Sequence, residues 1–481
     1  MRLKSMYKIS IILVIISILI YNIPHKSVSA EKYENQQESD PHLFVLKEDA
    51  DGFRIFRNLE LEFPNLELEL IEEINIISVH STDAQLIEEG IQYLESVYQN
   101  SLEEVGVNTA VELEEEEVPI QLTPFNLYSP MNTQPRTLDI PFSKWTWDID
   151  KITSNRKSYE IEKGNHGVKI AIVDSGIDFQ HPDLKENIIG EGKVFVPGVT
   201  STQDMMGHGT MVAGAIAANG KMMGVSPHIG IVPYKVFDKG KAESSWIIEA
   251  IIQASKDKMD VINLSLGTYK SIKNPEERAV FVSYLRAINY AIQQGSILVG
   301  SSGTEASGFD ISDPFKLAQQ RGYDNDAQLH MPGGLANVIT VSATDKDDKL
   351  ASYSNYGESI SVAAPAGDYG PLWKTEQKVD LNHMILTTFP TNLPQTPISQ
   401  SLGFPIGYEL MIGTSLAAPK VSATVGLIIA EYKERFGYKP SIQTVNKILQ
   451  QGATPNGLPK NQVGHGIINA HNSLLDIQKI E

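Results

Sequence analysis

The sequence predicts an α/β protein: a doubly wound domain with a mostly parallel sheet and helices on both faces, preceded by a small α/β module. Three observations predict it. Continuous apolar runs recur downstream of Trp145, helical patterns separate them, and a distinct acidic segment comes first. Uninterrupted apolar runs suit strands buried on both faces, as parallel strands between helices are. With 481 residues, 41% of them hydrophobic, the chain can bury a large core.

Residues 1–30 read as an export signal. Arg2, Lys4 and Lys8 form a basic start, Ile9–Tyr21 an apolar stretch, and Val28–Ala30 a small-residue end. No later segment is apolar enough to span a bilayer, so the processed chain is expected outside the cell, free or retained at its surface. The absence of cysteine excludes disulfides, thiolate metal sites and a cysteine nucleophile.

Residues 31–113 form the small module, with strands predicted at His42–Lys47 and Ile74–His80 and an amphipathic helix at Asp83–Tyr98. Residues 31–136 carry 24 Asp/Glu against 5 Lys/Arg, which equals the formal net charge of the whole chain, −19. That acidity argues against a nucleic-acid partner. Residues 114–144 begin with a glutamate run, turn rich in Pro, Asn and Thr, and read as an exposed linker.

Residues 145–481 form the large domain. Strands are expected within Val168–Asp174, Ile229–Phe237, Met259–Leu266, Ser296–Ser302, Asn337–Thr344 and Ser359–Pro365. Helical patterns such as "SSWIIEAIIQASKD" and "ERAVFVSYLRAINYAIQQG" lie between them. In such folds, sites form at the carboxyl ends of the strands.

Three stretches carry chemistry. Asp174 ends a buried strand in "IAIVDSGID", His208 opens a helix in "GHGTMVAGAIAA", and Ser415 lies in "GTSLAAPK" before a long helix. Pro419 places a helix start close by, because proline is best tolerated in a first turn. A serine there could cap the helix; an ordered Asp–His–Ser array would instead make it a nucleophile.

The combination resembles the subtilisin-like serine proteases. "DSGID" with "HPDL", "HGTMVAG" and "GTSLAAP" look like that family's Asp, His and Ser blocks, in the family's order. The resemblance implies a serine endopeptidase with Asp174, His208 and Ser415 as its triad. It implies that the acidic module is a propeptide, acting as chaperone and inhibitor and then removed. It also implies that Ser265, Leu266 and Gly267 pair with an extended substrate and that Ser302 and Gly303 wall the pocket before the scissile bond. The oxyanion hole would combine the Ser415 amide with Thr304, which stands where the family usually has asparagine. The motifs require no cofactor; calcium is an open option at Asp183, although the loop after His208 looks shorter than the family's calcium loop.

Pro135–Arg136 lies in the linker, where maturation must cut, and Glu305 falls at the rim of the pocket, where a carboxylate would favour arginine. With the acidic prosegment and "WTWDIDKIT", these features resemble the lantibiotic leader peptidases. The implied partners are a lantibiotic precursor and the enzyme's own propeptide. A broad secreted protease and a non-catalytic binding protein on the same fold are the rival readings.

Overall fold

The structure is a computed structural model that describes residues 40–113 and 142–480. The export signal and Arg136 lie outside the described residues. The N-terminal module contains β1 (His42–Leu46), α1 (Gly52–Glu62), β2 (Glu67–Ile71), β3 (Ile76–His80), α2 (Ala84–Val97) and β4 (Leu102–Val107). Its antiparallel sheet has the order β2-β3-β1-β4. Alternation along β1 explains its unbroken apolar run. Phe44 and Leu46 face the module's own core with Ile55 and Leu59 of α1 and Ile87 and Leu94 of α2. Leu43 and Val45 face the other way, into a core shared with the large domain. Asp51 and Asp83 cap the two helices by accepting from the amides of Arg54 and Gln85.

A short strand, β5 (Ala110–Glu112), leaves this module. The large domain begins before Trp145, since Phe142 already packs edge-on against Phe404 and Tyr408. There follow α3 (Trp147–Ile152), β6 (Lys169–Asp174), β7 (Lys193–Val194), α4 (His208–Ala217), β8 (Gly230–Lys235), β9 (Lys241–Glu243), α5 (Ser244–Lys256), β10 (Val261–Leu264), β11 (Gly267–Ser271), α6 (Pro275–Gln293) and β12 (Ile297–Ser301). The remainder includes α7 (Pro314–Gln320), β13 (Gln328–Pro332), β14 (Ile339–Thr344), β15 (Ile360–Pro365) and, opening on the candidate nucleophile, α8 (Thr414–Phe436).

Seven strands form one parallel sheet in the order β15-β14-β12-β10-β6-β8-β7. All six predicted apolar runs lie in it. Ile170 and Ile172 of β6 enter the core beneath α4 and α8, whereas Ala171 and Val173 enter the opposite core with α5 and α6. The chain leaves β6 toward β8 on one side and returns through β10 on the other. The carboxyl ends of β6 and β10 therefore flank the point where strand order reverses, which is where open α/β sheets place their sites.

The acidic module docks on α5 and α6. Glu103 pairs with Arg286 at 2.6 Å, Glu104 with Arg278, and Glu73 with Lys256. Arg286 also donates to the carbonyls of Leu46 (2.7 Å) and Ile74 (2.8 Å). β5 pairs antiparallel with β9, Val111 opposite Ala242. Asn108 meanwhile accepts from the Ser245 amide at 3.0 Å, capping α5 from outside its own segment.

Candidate active site

Asp174, fully buried at the end of β6, faces the ring of His208. Nδ1 of His208 lies 2.8 and 2.9 Å from the two carboxylate oxygens. An ionised carboxylate can only accept, so Nδ1 carries the proton and Nε2 keeps its lone pair. The Ser175 amide donates to Asp174 Oδ1 at 2.7 Å and fixes the carboxylate plane.

Glycines allow His208 to approach this closely. A Cβ on Gly209 would stand 2.0 Å from the Gly176 carbonyl oxygen, so α4 can lie against the turn after β6 only with glycine there. Asp204 builds the lead-in to the helix. Its buried carboxylate accepts from the amides of Met206, Gly207 and Thr210 and from the Thr210 hydroxyl, and burial raises its pKa. The segment "TQDMMGHG" carries no signal that marks Asp204 for this task.

Ser415 occupies the second position of α8, which packs alongside α4. Pro419 differs from the sequence expectation: it stands at the sixth residue of the helix rather than in its first turn. Lacking an N–H, it leaves the Ser415 carbonyl without its helical donor. The Ser265 hydroxyl donates to that carbonyl at 2.7 Å and ties the end of β10 to the serine turn. The Ser265 side chain in turn receives a bond from Asn263, whose own oxygen accepts from Ser422. Ser415 Oγ lies 3.4 Å from the Ser265 carbonyl.

Thr304 stands beside the same turn. Its hydroxyl lies 2.9 Å from the Thr414 hydroxyl and accepts from the Thr414 amide at 3.3 Å. Ser302 and Gly303 precede it; the Ser302 hydroxyl and the Gly303 carbonyl are both held by the Asn355 backbone. Gly267 opens β11 opposite them, after Leu266, which is buried.

Between the glycines lies a residue that sequence reasoning missed. His330 of β13 is 1% exposed, and neither of its ring nitrogens has a hydrogen-bond partner among the described residues. A Cβ on Gly267 would stand 2.3 Å from its Nε2, and one on Gly303 3.0 Å from it. Burial, aided by the Arg321 charge, lowers the His330 pKa to about 4, so the imidazole is neutral. Arg321 stacks 4.1 Å above the Tyr269 ring, which lies next to His330.

Two carboxylates that the sequence singled out have partners of their own. Glu305 was expected to offer a free carboxylate to an arginine substrate. Its carboxyl is instead bonded by Tyr269 and faced by Arg321, while burial raises its pKa. The sequence leaves calcium at Asp183 open. Its carboxylate accepts from the amides of Lys221 (3.0 Å) and Met222 (2.8 Å) and from the Tyr408 hydroxyl (2.7 Å). Donors thus surround it where a cation would need oxygens, and the carboxylate itself staples the short loop after α4.

The subtilase family model matches residues 165–466. The epidermin leader peptide-processing serine protease EpiP of Staphylococcus epidermidis is 32% identical over 327 residues, 63% of this chain and 68% of that protein. The nisin leader peptide-processing serine protease NisP of Lactococcus lactis is 29% identical over 66% of this chain, which spans about half (48%) of that protein. The crystal structure of EpiP from Staphylococcus aureus aligns with a TM-score of 0.70 and 28% identity, over 92% of this chain and 99% of that one.

Proposed function

This chain belongs to the subtilase family, and from that premise we propose that it is an exported leader peptidase. It would be made as a zymogen and cut lantibiotic precursors with an Asp174–His208–Ser415 triad. The observation that carries the reading is the hydrogen-bonded Asp174–His208 pair at the strand switch point, next to the helix whose second residue is Ser415.

His208 Nε2 takes the Ser415 proton as the hydroxyl attacks the scissile carbonyl, and Asp174 stabilises the imidazolium that forms. The same nitrogen then delivers the proton to the leaving amine, and water attacks the ester by the reverse steps. The developing oxyanion would be met by the Ser415 amide and by the Thr304 hydroxyl, which reaches the start of α8 at Thr414. No step requires a metal.

The likeness to two leader peptide-processing proteases supports the substrate class. The docked acidic module supports zymogen control, since β5 lies along β9 and also packs against β11. Residues 1–30 support export to the outside of the cell or its surface. A fluorophosphonate should label wild-type protein and not Ser415→Ala. Unlabelled wild-type enzyme should cut a leader-bearing precursor far more efficiently than casein. Equal efficiency on both would favour a broad protease, and absence of labelling a non-catalytic fold.

A further inference from the structure

The His330 ring lies against Gly333, where a Cβ would stand 3.2 Å from it, and against Gly267 and Gly303, the glycines that by resemblance border the specificity slot. A buried imidazole with both nitrogens unpartnered is costly for a fold to keep without use. A neutral ring has one N–H to give. Near it stand the Arg321 guanidinium and the Tyr269 hydroxyl, which receives a bond from Asn355 at 2.6 Å. An incoming arginine would meet a shortened slot and a like charge. An incoming carboxylate would meet an N–H donor and a cation.

A second observation comes from the chain's own direction. Gly106 packs against Glu276, just beyond the Ser271 end of β11. Residues 110–112 then run between β9 and β11, and the Leu113 amide donates to the Gly240 carbonyl at 3.0 Å. The segment is therefore travelling from the far end of β11 toward Gly267, the mouth of the slot, and toward Ser265 and Ser415. The residue that follows Leu113 in the sequence is Glu114, the first of four glutamates.

We propose that His330 is the specificity-determining residue of the slot, that the slot takes a glutamate side chain, and that the first self-cut falls after Glu114. The proposal rests on the leader-peptidase reading and adds to it the residue at which the enzyme cuts. In that cut the Glu114–Glu115 amide breaks and an ester forms between the Glu114 carbonyl carbon and Ser415 Oγ. The Ser415 proton passes through His208 to the amine of Glu115, and water then frees the Glu114 carboxylate. A cut after Arg136 would then be the work of another protease.

The test uses the full-length chain and p-nitroanilides of Val-Glu-Leu-Xaa, the sequence before the cut, with Xaa as Glu, Arg or Ala. The Glu substrate should exceed the Arg substrate in kcat/KM by at least about thirtyfold, the effect expected of one buried charge-assisted contact. His330→Leu should remove that preference by lowering kcat/KM for the Glu substrate far more than for the Ala substrate, and His330→Gln should restore part of it. Glu305→Gln should strengthen the selection, because it removes a competing carboxylate from Arg321. Sequencing the matured protein should find Glu115 as the new N-terminus, with Ser415→Ala left uncut. A better Arg substrate, an equal loss on all three substrates in His330→Leu, or Thr137 as the self-generated N-terminus would each overturn the proposal. Fluorophosphonate labelling separates these outcomes from failure of the protease reading itself, in which no substrate is cut and Ser415 stays unlabelled.

Discussion

Thr304 brings one hydroxyl to a place where an amide side chain would bring two N–H donors, and that hydroxyl also serves the start of α8 through Thr414. Thr304→Asn should therefore raise kcat on a short peptide by roughly tenfold or more with little change in KM, a fraction of the hundred- to thousandfold that a full oxyanion donor supplies. Steady-state rates normalised by active-site titration measure it; an unchanged or lower kcat would place the second oxyanion donor elsewhere. Asp174, His208 and Ser415 are legible in the sequence because each stands among glycines that close backbone contact demands, as Gly209 does against Gly176. His330 and Arg321 are not. "LHMPG" and "AQQRG" have no spacing that ties them to Gly267 or Gly303, and their grouping exists only once β11, β12 and β13 are assembled.

The serine helix is held at its far side by an ion pair that no motif announces. Lys420, five residues after Ser415, meets Asp148 of α3 at 2.5 Å and donates to the Pro365 carbonyl at the end of β15. Both side chains are buried, and burial raises the Asp148 pKa and lowers that of Lys420. Removing one partner strands the other charge, so Lys420→Met should destabilise the Ser415→Ala precursor by about 3–5 kcal/mol, whereas adding Asp148→Leu should recover most of that loss. Urea unfolding of the three proteins decides it; a double variant no more stable than the single would show that the pair itself supplies the stability. Asn108→Ala removes the cap on α5 and should lower stability by about 1 kcal/mol, read as a drop in Tm of the same precursor. At this scale the large sheet was readable because its strands are buried on both faces and uninterrupted. β5 was not, since its three residues find their partners more than a hundred residues away in β9. β4 was missed because its Glu103 and Glu104 look like a solvated run until they meet Arg286 and Arg278 of α6, and β2 because its alternating glutamates carry the same solvated look.

Once the linker is cut, only non-covalent contacts keep the acidic module on the large domain, and their pH dependence sets when the enzyme is released. Lys256, whose pKa the Glu73 hydrogen bond raises, stays charged across the working range and gives no slope. Glu249 of α5 does. Burial raises its pKa to about 9, with Glu69 of β2 and then Glu243 adding like charge. Below the usual carboxylate range, Glu249 is protonated whether the module is docked or free, and docking incurs no penalty from it. As pH rises toward 9 the free form loses its proton and the docked form keeps it, so docking weakens progressively. His80 of β3, near Glu243 at 3.5 Å, works in the opposite direction: burial lowers its pKa, and protonation below about 6.5 favours the undocked form. Inhibition by the cut module should therefore be tightest at mildly acidic pH, between the usual carboxylate range and about 6.5, and relax toward pH 9, by at most about tenfold per pH unit for one proton. The lag before activity appears, followed after maturation at pH 6 to 9, should shorten as pH rises. Glu249→Gln should hold the lag nearly constant over that range, because the amide keeps the size of the protonated acid and has no proton to lose. A slope that survives this substitution would assign the release to other groups at the interface.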